Sequence, residues 1–166
     1  MRIVDSLIAE IEQEAATTRR VLERVPEDKL EWRPHPKSMS LGQLALHVAQ
    51  TTGQVVDALA MDVMEAPEFG SPPSAESSAQ LLSAHDASVA HAIETLNGWD
   101  DARAVSDWSL TKDGETLMVI PRIGFMRGVG MNHLYHHRGQ LSVYLRLLDV
   151  PVPSIYGPSA DENPFG

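Results

Sequence analysis

Apolar or small side chains recur at spacings of three and four through Ile3, Leu7, Ile11, Ala15, Thr18, Leu22 and Val25, which marks one buried face of a helix that Pro26 stops. Around Pro34 and Pro36 each ring pushes the preceding residue out of the α region, so residues 32–36 read as an ordered loop. Ser40 and Gln43 then form an S-x-x-Q capping box ahead of a stripe of Leu41, Leu44, Val48, Val55 and Leu59, predicting a second helix over about residues 41–63. Residues 67–78 turn to Pro, Ser, Gly and Glu, a loop composition. A third periodic run through Leu81, His85, Val89, Ala92 and Leu96 closes at Asn97-Gly98, a pair suited to a carboxyl cap.

From residue 99 to 120 the helical period fails. Trp108 and Leu110, then Leu117, Val119 and Ile120, flank the turn Lys112-Asp113-Gly114-Glu115, which reads as a short hairpin or an irregular excursion. Pro121 suits the first turn of a fourth helix, which Phe125, Val129, Val143, Tyr144 and Leu147 carry to about Asp149. Gly124, Gly128, Gly130 and Gly139 inside it each cost about 1 kcal/mol relative to Ala, so close packing against a neighbour is expected there. The expected architecture is an all-α bundle of four helices over residues 1–150, followed by an extended, proline-rich tail over 151–166 docked on its surface.

Composition narrows the function classes. A chain of 166 residues fits one domain with a sizeable core. A net charge of −10, with no basic cluster denser than Arg19-Arg20, is the wrong footprint for a polyanion, so no nucleic-acid partner is expected. The lack of cysteine removes disulfides, thiolate metal clusters and cysteine nucleophiles together; any metal must sit on His, Asp or Glu. No apolar run is long enough to span a membrane, and Asp5 and Glu10 interrupt the amino terminus, so no membrane segment or signal peptide is expected and the cytoplasm is the default compartment.

The candidate chemistry lies in seven histidines. On a helical wheel with Phe125 as origin, His133 falls at about 80° and His137 at about 120°, inside the apolar stripe. Two imidazoles at i and i+4 on one face can reach a single ion, although such pairs also occur as polar spots in a bundle interior. No glutamate completes an H-E-x-x-H helix. A third donor would come from a facing helix, and His47, at the flank of the second helix's stripe, is the natural candidate. His85 reads as a hydrogen-bonded core residue, His91 as solvated, and His136 as an edge group. Arg138, at about 220° on the same wheel, points away from the pair and reads as a structural salt-bridge partner. Glu10, Glu12 and Glu14 read as a solvated face. Met61, Met64, Met118, Met126 and Met131 read as gap-fillers and Trp32, Trp99 and Trp108 as packing anchors. No nucleophile elbow, P-loop or dinucleotide fingerprint occurs.

The chain resembles the DinB family of small bacterial four-helix proteins, which is unrelated to the DNA polymerase of that name. The resemblance runs through Leu30-Glu31-Trp32-Arg33-Pro34, through Ser40-Leu41-Gly42-Gln43-Leu44 leading to His47, and above all through the H-x-x-x-H-R-G-Q segment from His133 to Gln140. The tail from Val150 to Asp161 extends it. It implies an up-down-down-up four-helix bundle, often a homodimer. It also implies one divalent metal ion per chain, nickel or zinc, held by one histidine of the second helix and two of the last, here His47, His133 and His137. Family members with established activities resemble transferases that use low-molecular-weight thiols such as bacillithiol, or mycothiol-dependent isomerases.

Two readings of function follow. In the first, the ion serves an enzyme acting on a small-molecule substrate, by thiol-dependent transfer or hydrolysis-like chemistry. In the second, a non-catalytic dimeric scaffold, active in a stress response, uses the metal only to fix its helices.

Overall fold

The periodic faces become four long helices: α1 (Ile3–Leu22), α2 (Leu41–Ala60), α3 (Ser78–Asn97) and α6 (His133–Leu147). The computed structural model describes residues 1–68 and 70–165; the loop assignment at Phe69 and the tail assignment at Gly166 lie outside the described residues. Ser40 caps α2 as its sequence requires: its Oγ accepts the Gln43 N–H at 3.2 Å and the Gln43 side chain accepts the Ser40 N–H at 2.8 Å. At the far end of the chain Asp149, with φ 57°, takes the left-handed conformation that ends α6, and the Val150 N–H closes back on the Leu145 carbonyl at 3.0 Å.

Side-chain pairs give the helix directions. Asp57 meets His91 and Gln50 meets Ser88, so α2 and α3 run the same way. Gly53 permits their close approach: a Cβ there would lie 2.9 Å from Ser88 Oγ and 3.1 Å from its Cα. Arg19 pairs with Asp86 and Arg2 with Asn97, so α1 runs against α3. His47 faces His133 while Met39 faces Tyr144, so α6 runs against α2.

The protein is mostly helical but not all-α. Val63–Glu65 (β1) pairs in parallel with Asp107–Lys112 (β2), which pairs antiparallel with Glu115–Pro121 (β3). The expectation of a second helix reaching residue 63 fails because α2 ends at Ala60 and Val63 starts a strand. The reason is a set of side-chain donors at that end. The Trp108 indole donates to Ala58 O at 3.0 Å, Arg103 to Ala60 O at 2.8 Å, and the fully buried Arg122 to Leu59 O and Met61 O at 3.1 Å each. These groups satisfy the carbonyls a helix leaves open at its carboxyl end, and two of them are cations at the negative pole of its dipole. They also bolt the sheet and the short helix α4 (Asp101–Val105) onto α2. The hairpin turns through Asp113 and Gly114, both at positive φ (52° and 81°), the type I′ geometry that matches strand twist.

The fourth helical run is interrupted. Arg122–Phe125 (α5) passes into a π-helical segment, Met126–Asn132, before α6 begins, and the His133 N–H donates to the Gly128 carbonyl five residues back. A wheel drawn at 100° per residue from Phe125 therefore mis-rotates everything beyond it. The buried face of α6 is Leu134, Arg138, Leu141 and Leu145, whereas Val143 and Leu147, expected inside, are 56% and 57% exposed. The expected tight packing of the helix-four glycines against a neighbour is also absent. Gly128 and Gly139 face open space, and Gly124 and Gly130 meet only Ile120 and Met126 of their own strand-to-helix run.

Candidate metal centre

Three imidazoles converge where α2 crosses α6. His47 and His133 place their Nε2 atoms 2.9 Å apart, and the His137 ring centroid lies 4.6 Å from that of His47 and 4.3 Å from that of His133. One ligand atom from each of the three residues lies within 4.8 Å of the other two. The i, i+4 spacing stacks His133 and His137 on one face of α6, and the capping box fixes the start of the helix that carries His47.

The cluster is electrically unusual for its position. Burial, with the neighbouring imidazoles His137 and His133, pushes His47 down to about 4. Burial is also the first cause holding His133 and His137 below the ordinary histidine value, with charge repulsion from His136 acting on both and from His133 on His137. All three rings are therefore neutral at pH 7 and offer lone pairs, the form in which imidazole binds a metal. The His137 Nδ1 hydrogen-bonds Gln140 Oε1 at 2.8 Å. An amide oxygen only accepts, so Nδ1 carries the proton and Nε2 carries the lone pair. Gln140, one turn beyond His137, was not singled out as a site residue from sequence; the H-x-x-Q spacing is the signal that could have found it.

The remaining histidines fall outside the cluster. His85 is buried, with Nε2 3.1 Å from Ala15 O, and burial lowers its pKa. His91 is exposed and paired with Asp57 at 2.7 Å. His136 is exposed, with its ring centroid 4.9 Å from that of His137.

Arg138 forms the salt bridge expected of it, but a buried one, on the face of α6 that the wheel had turned away from the core. It is 1% exposed and donates to Glu14 Oε2 at 2.6 Å, Thr18 Oγ1 at 2.9 Å and the Tyr156 hydroxyl of the tail. Glu14 is correspondingly 7% exposed, which corrects the reading of Glu10, Glu12 and Glu14 as one solvated face. Glu10 turns the same way, accepting from Arg127 and from the Tyr135 hydroxyl at 2.7 Å; those bonds, Arg127 first, hold its carboxyl at about 2.

A cleft of about 960 Å³ opens beside His47 and His133. Its walls come from α2 (Thr51, Val55, Ala58), from the sheet (Met64, Leu110, Leu117) and from the α5 and π-helical segment (Phe125, Val129). The hairpin thus forms one side of the site. That role was invisible from sequence, because no periodic signal says which helix a hairpin will face.

Among curated proteins the chain is similar to the uncharacterized protein YrdA of Bacillus subtilis, 27% identical over 165 residues, which span 96% of this chain and 91% of YrdA. Among solved structures it is similar to a DinB-like protein from Bacillus cereus, with TM-score 0.73 and 19% identity over 92% of this chain and 97% of that one. The DinB-like protein YjoA of Bacillus subtilis gives TM-score 0.66 and 15% identity over 89% and 96% of the two chains. These structures share the fold. The DinB family model matches residues 1–163, nearly the full length, and the chain belongs to the DinB family.

Proposed function

We propose that His47, His133 and His137 hold one divalent ion per chain, nickel or zinc, and that the site is a metal-dependent centre for a small-molecule substrate. The observation that carries this reading is the convergence of three neutral imidazoles at the edge of a cleft large enough for such a molecule. The donor set fits: three nitrogen ligands without thiolate suit either metal and leave coordination positions open. Bound there, the ion would supply Lewis acidity, lowering the pKa of a ligand such as water or a low-molecular-weight thiol. The chain's own part is to orient and to exclude water. Gln140 fixes the tautomer of His137, Thr51 spends its hydroxyl on the His47 carbonyl at 2.6 Å, and the apolar walls dry one side of the site. The helix pairings support an up-down-down-up order for the four long helices, with the tail beyond residue 150 held on the bundle through Tyr156.

A second reading, a dimeric scaffold with a structural ion, draws on Val143 and Leu147, which form an exposed apolar strip on α6 beside the open Gly139. One experiment separates the two. Cobalt(II) loaded into the metal-free protein will give a visible absorption spectrum that shifts when azide or acetohydroxamate is added, if ligand positions are open. A spectrum indifferent to both ligands would favour the scaffold.

A further inference from the structure

The sheet side of the cleft has a built polarity. Along β2 the residues of one face run from Trp108, fully buried, through half-buried Leu110 to exposed Lys112, that is, from core to cleft wall to rim. In the β2–β3 ladder Leu110 faces Met118 but Thr111 faces Thr116, so Leu117 is an extra residue without a partner. A bulge of this kind puts two successive side chains on the same side and re-aims one of them. Here Leu117 turns toward the cleft and stays 57% exposed, beside Leu110 and the β1 residue Met64. The opposing wall, Val55 and Ala58 of α2 with Phe125 and Val129, is equally apolar. The charged residues of the lining, Glu68 and Lys112, are one of each sign and leave the cleft without net charge.

We infer that the substrate carries an uncharged apolar body clamped between the sheet wall (Met64, Leu110 and the bulged Leu117) and α2, while its polar head reaches His47 and His133. The inference rests on the metal-site reading for the head and on the wall alone for the body. Leu117 is the residue that sets specificity. An apolar side chain held in water at the mouth of a site gains by being covered, and each methylene it covers strengthens binding about threefold to fourfold.

The test uses two probes on the full chain. In the first, the neutral dye Nile red is displaced by the alcohols from 1-butanol to 1-octanol. Displacement strengthens about threefold to fourfold per methylene in the wild type. The slope flattens in Leu117→Ser and stays intact in Val119→Ser, which alters an apolar residue of similar exposure outside the cleft lining. Equal melting temperatures keep the Leu117 variant interpretable. Absence of dye binding, a slope flat with chain length, or equal slopes in Leu117→Ser and wild type would overturn the proposal. In the second, octanohydroxamate binds the cobalt-loaded protein more tightly than acetohydroxamate; equal affinities with cobalt retained would overturn the clamp and leave the metal site standing. Failure to take up cobalt, with the alcohol series intact, would sink the metal site and leave the clamp.

Discussion

His137 and Arg138 are neighbours in the chain and lie in opposite electrostatic settings. On one side of α6, three imidazoles are brought together with their charge removed: burial and mutual repulsion hold them neutral, and their lone pairs stay available. On the other, the Arg138 guanidinium lies in the interior with its donors met by Glu14, Thr18 and Tyr156. The difference separates roles. A polar cluster whose members complete one another, as Arg138 and Glu14 do, ties α1, α6 and the tail together and has nothing left for a ligand. A cluster of like groups, unable to complete one another, has capacity left over, and it lies beside the sheet-walled cleft.

The comparison can be broken from the Arg138 side with the largest effect. Arg138→Met leaves the buried Glu14 carboxylate without a compensating cation and with only the Tyr156 hydroxyl donating to it, and is expected to cost about 3–5 kcal/mol in urea unfolding, with metal stoichiometry unchanged in the folded fraction. A loss under about 1 kcal/mol would mean that the pair is not holding the helices. On the histidine side the expected effect is on affinity. Gln140→Leu frees the His137 tautomer and is expected to weaken metal binding about 10- to 100-fold by competition titration, with little change in stability.

The two regions also separate by pH. His47 has a folded pKa of about 4 against an ordinary value of 6.5, so between those values the unfolded chain binds more protons. The metal-free protein is then fully stabilised above about pH 6.5 and loses stability as pH falls toward 4, with His133, His137 and His85 acting in the same direction. Glu10, held at about 2 against 4.5, contributes stability that is lost only below that range, as pH falls from 4.5 toward 2. Chemical denaturation at stepped pH resolves the two windows, and His47→Gln should reduce the loss in the upper one alone. The smallest effect is expected at the exposed His91–Asp57 pair, where His91→Ala should change stability by no more than about 1 kcal/mol and metal content not at all.

Helix period made α1, α2 and α3 legible, and the Ser40 and Gln43 box located the start of α2 to the residue. The i, i+4 spacing of His133 and His137 made their pairing legible too, because it depends on α6 alone. What failed depended on what sequence does not carry. The π-helical segment changed the rotation between Phe125 and α6, so Val143 and Leu147 were placed inside and the buried face through Leu134, Arg138, Leu141 and Leu145 went unread. Glu14 looked solvated because its partners, Arg138 and Tyr156, are more than a hundred residues away. The sheet was legible only as its Asp113-Gly114 turn; β1 is three residues long, and its parallel pairing with β2 has no local signal.

The central claim is that the leftover capacity of the histidine cluster is a metal site. Its most direct test is elemental analysis of the protein purified without an affinity tag or metal column, comparing wild type with the His133→Ala, His137→Ala double variant. About one nickel or zinc ion per chain in the wild type and none in the folded variant is the expected result. No ion in either protein, even after incubation with nickel and zinc salts, would contradict it and leave His47, His133 and His137 as polar residues of the bundle.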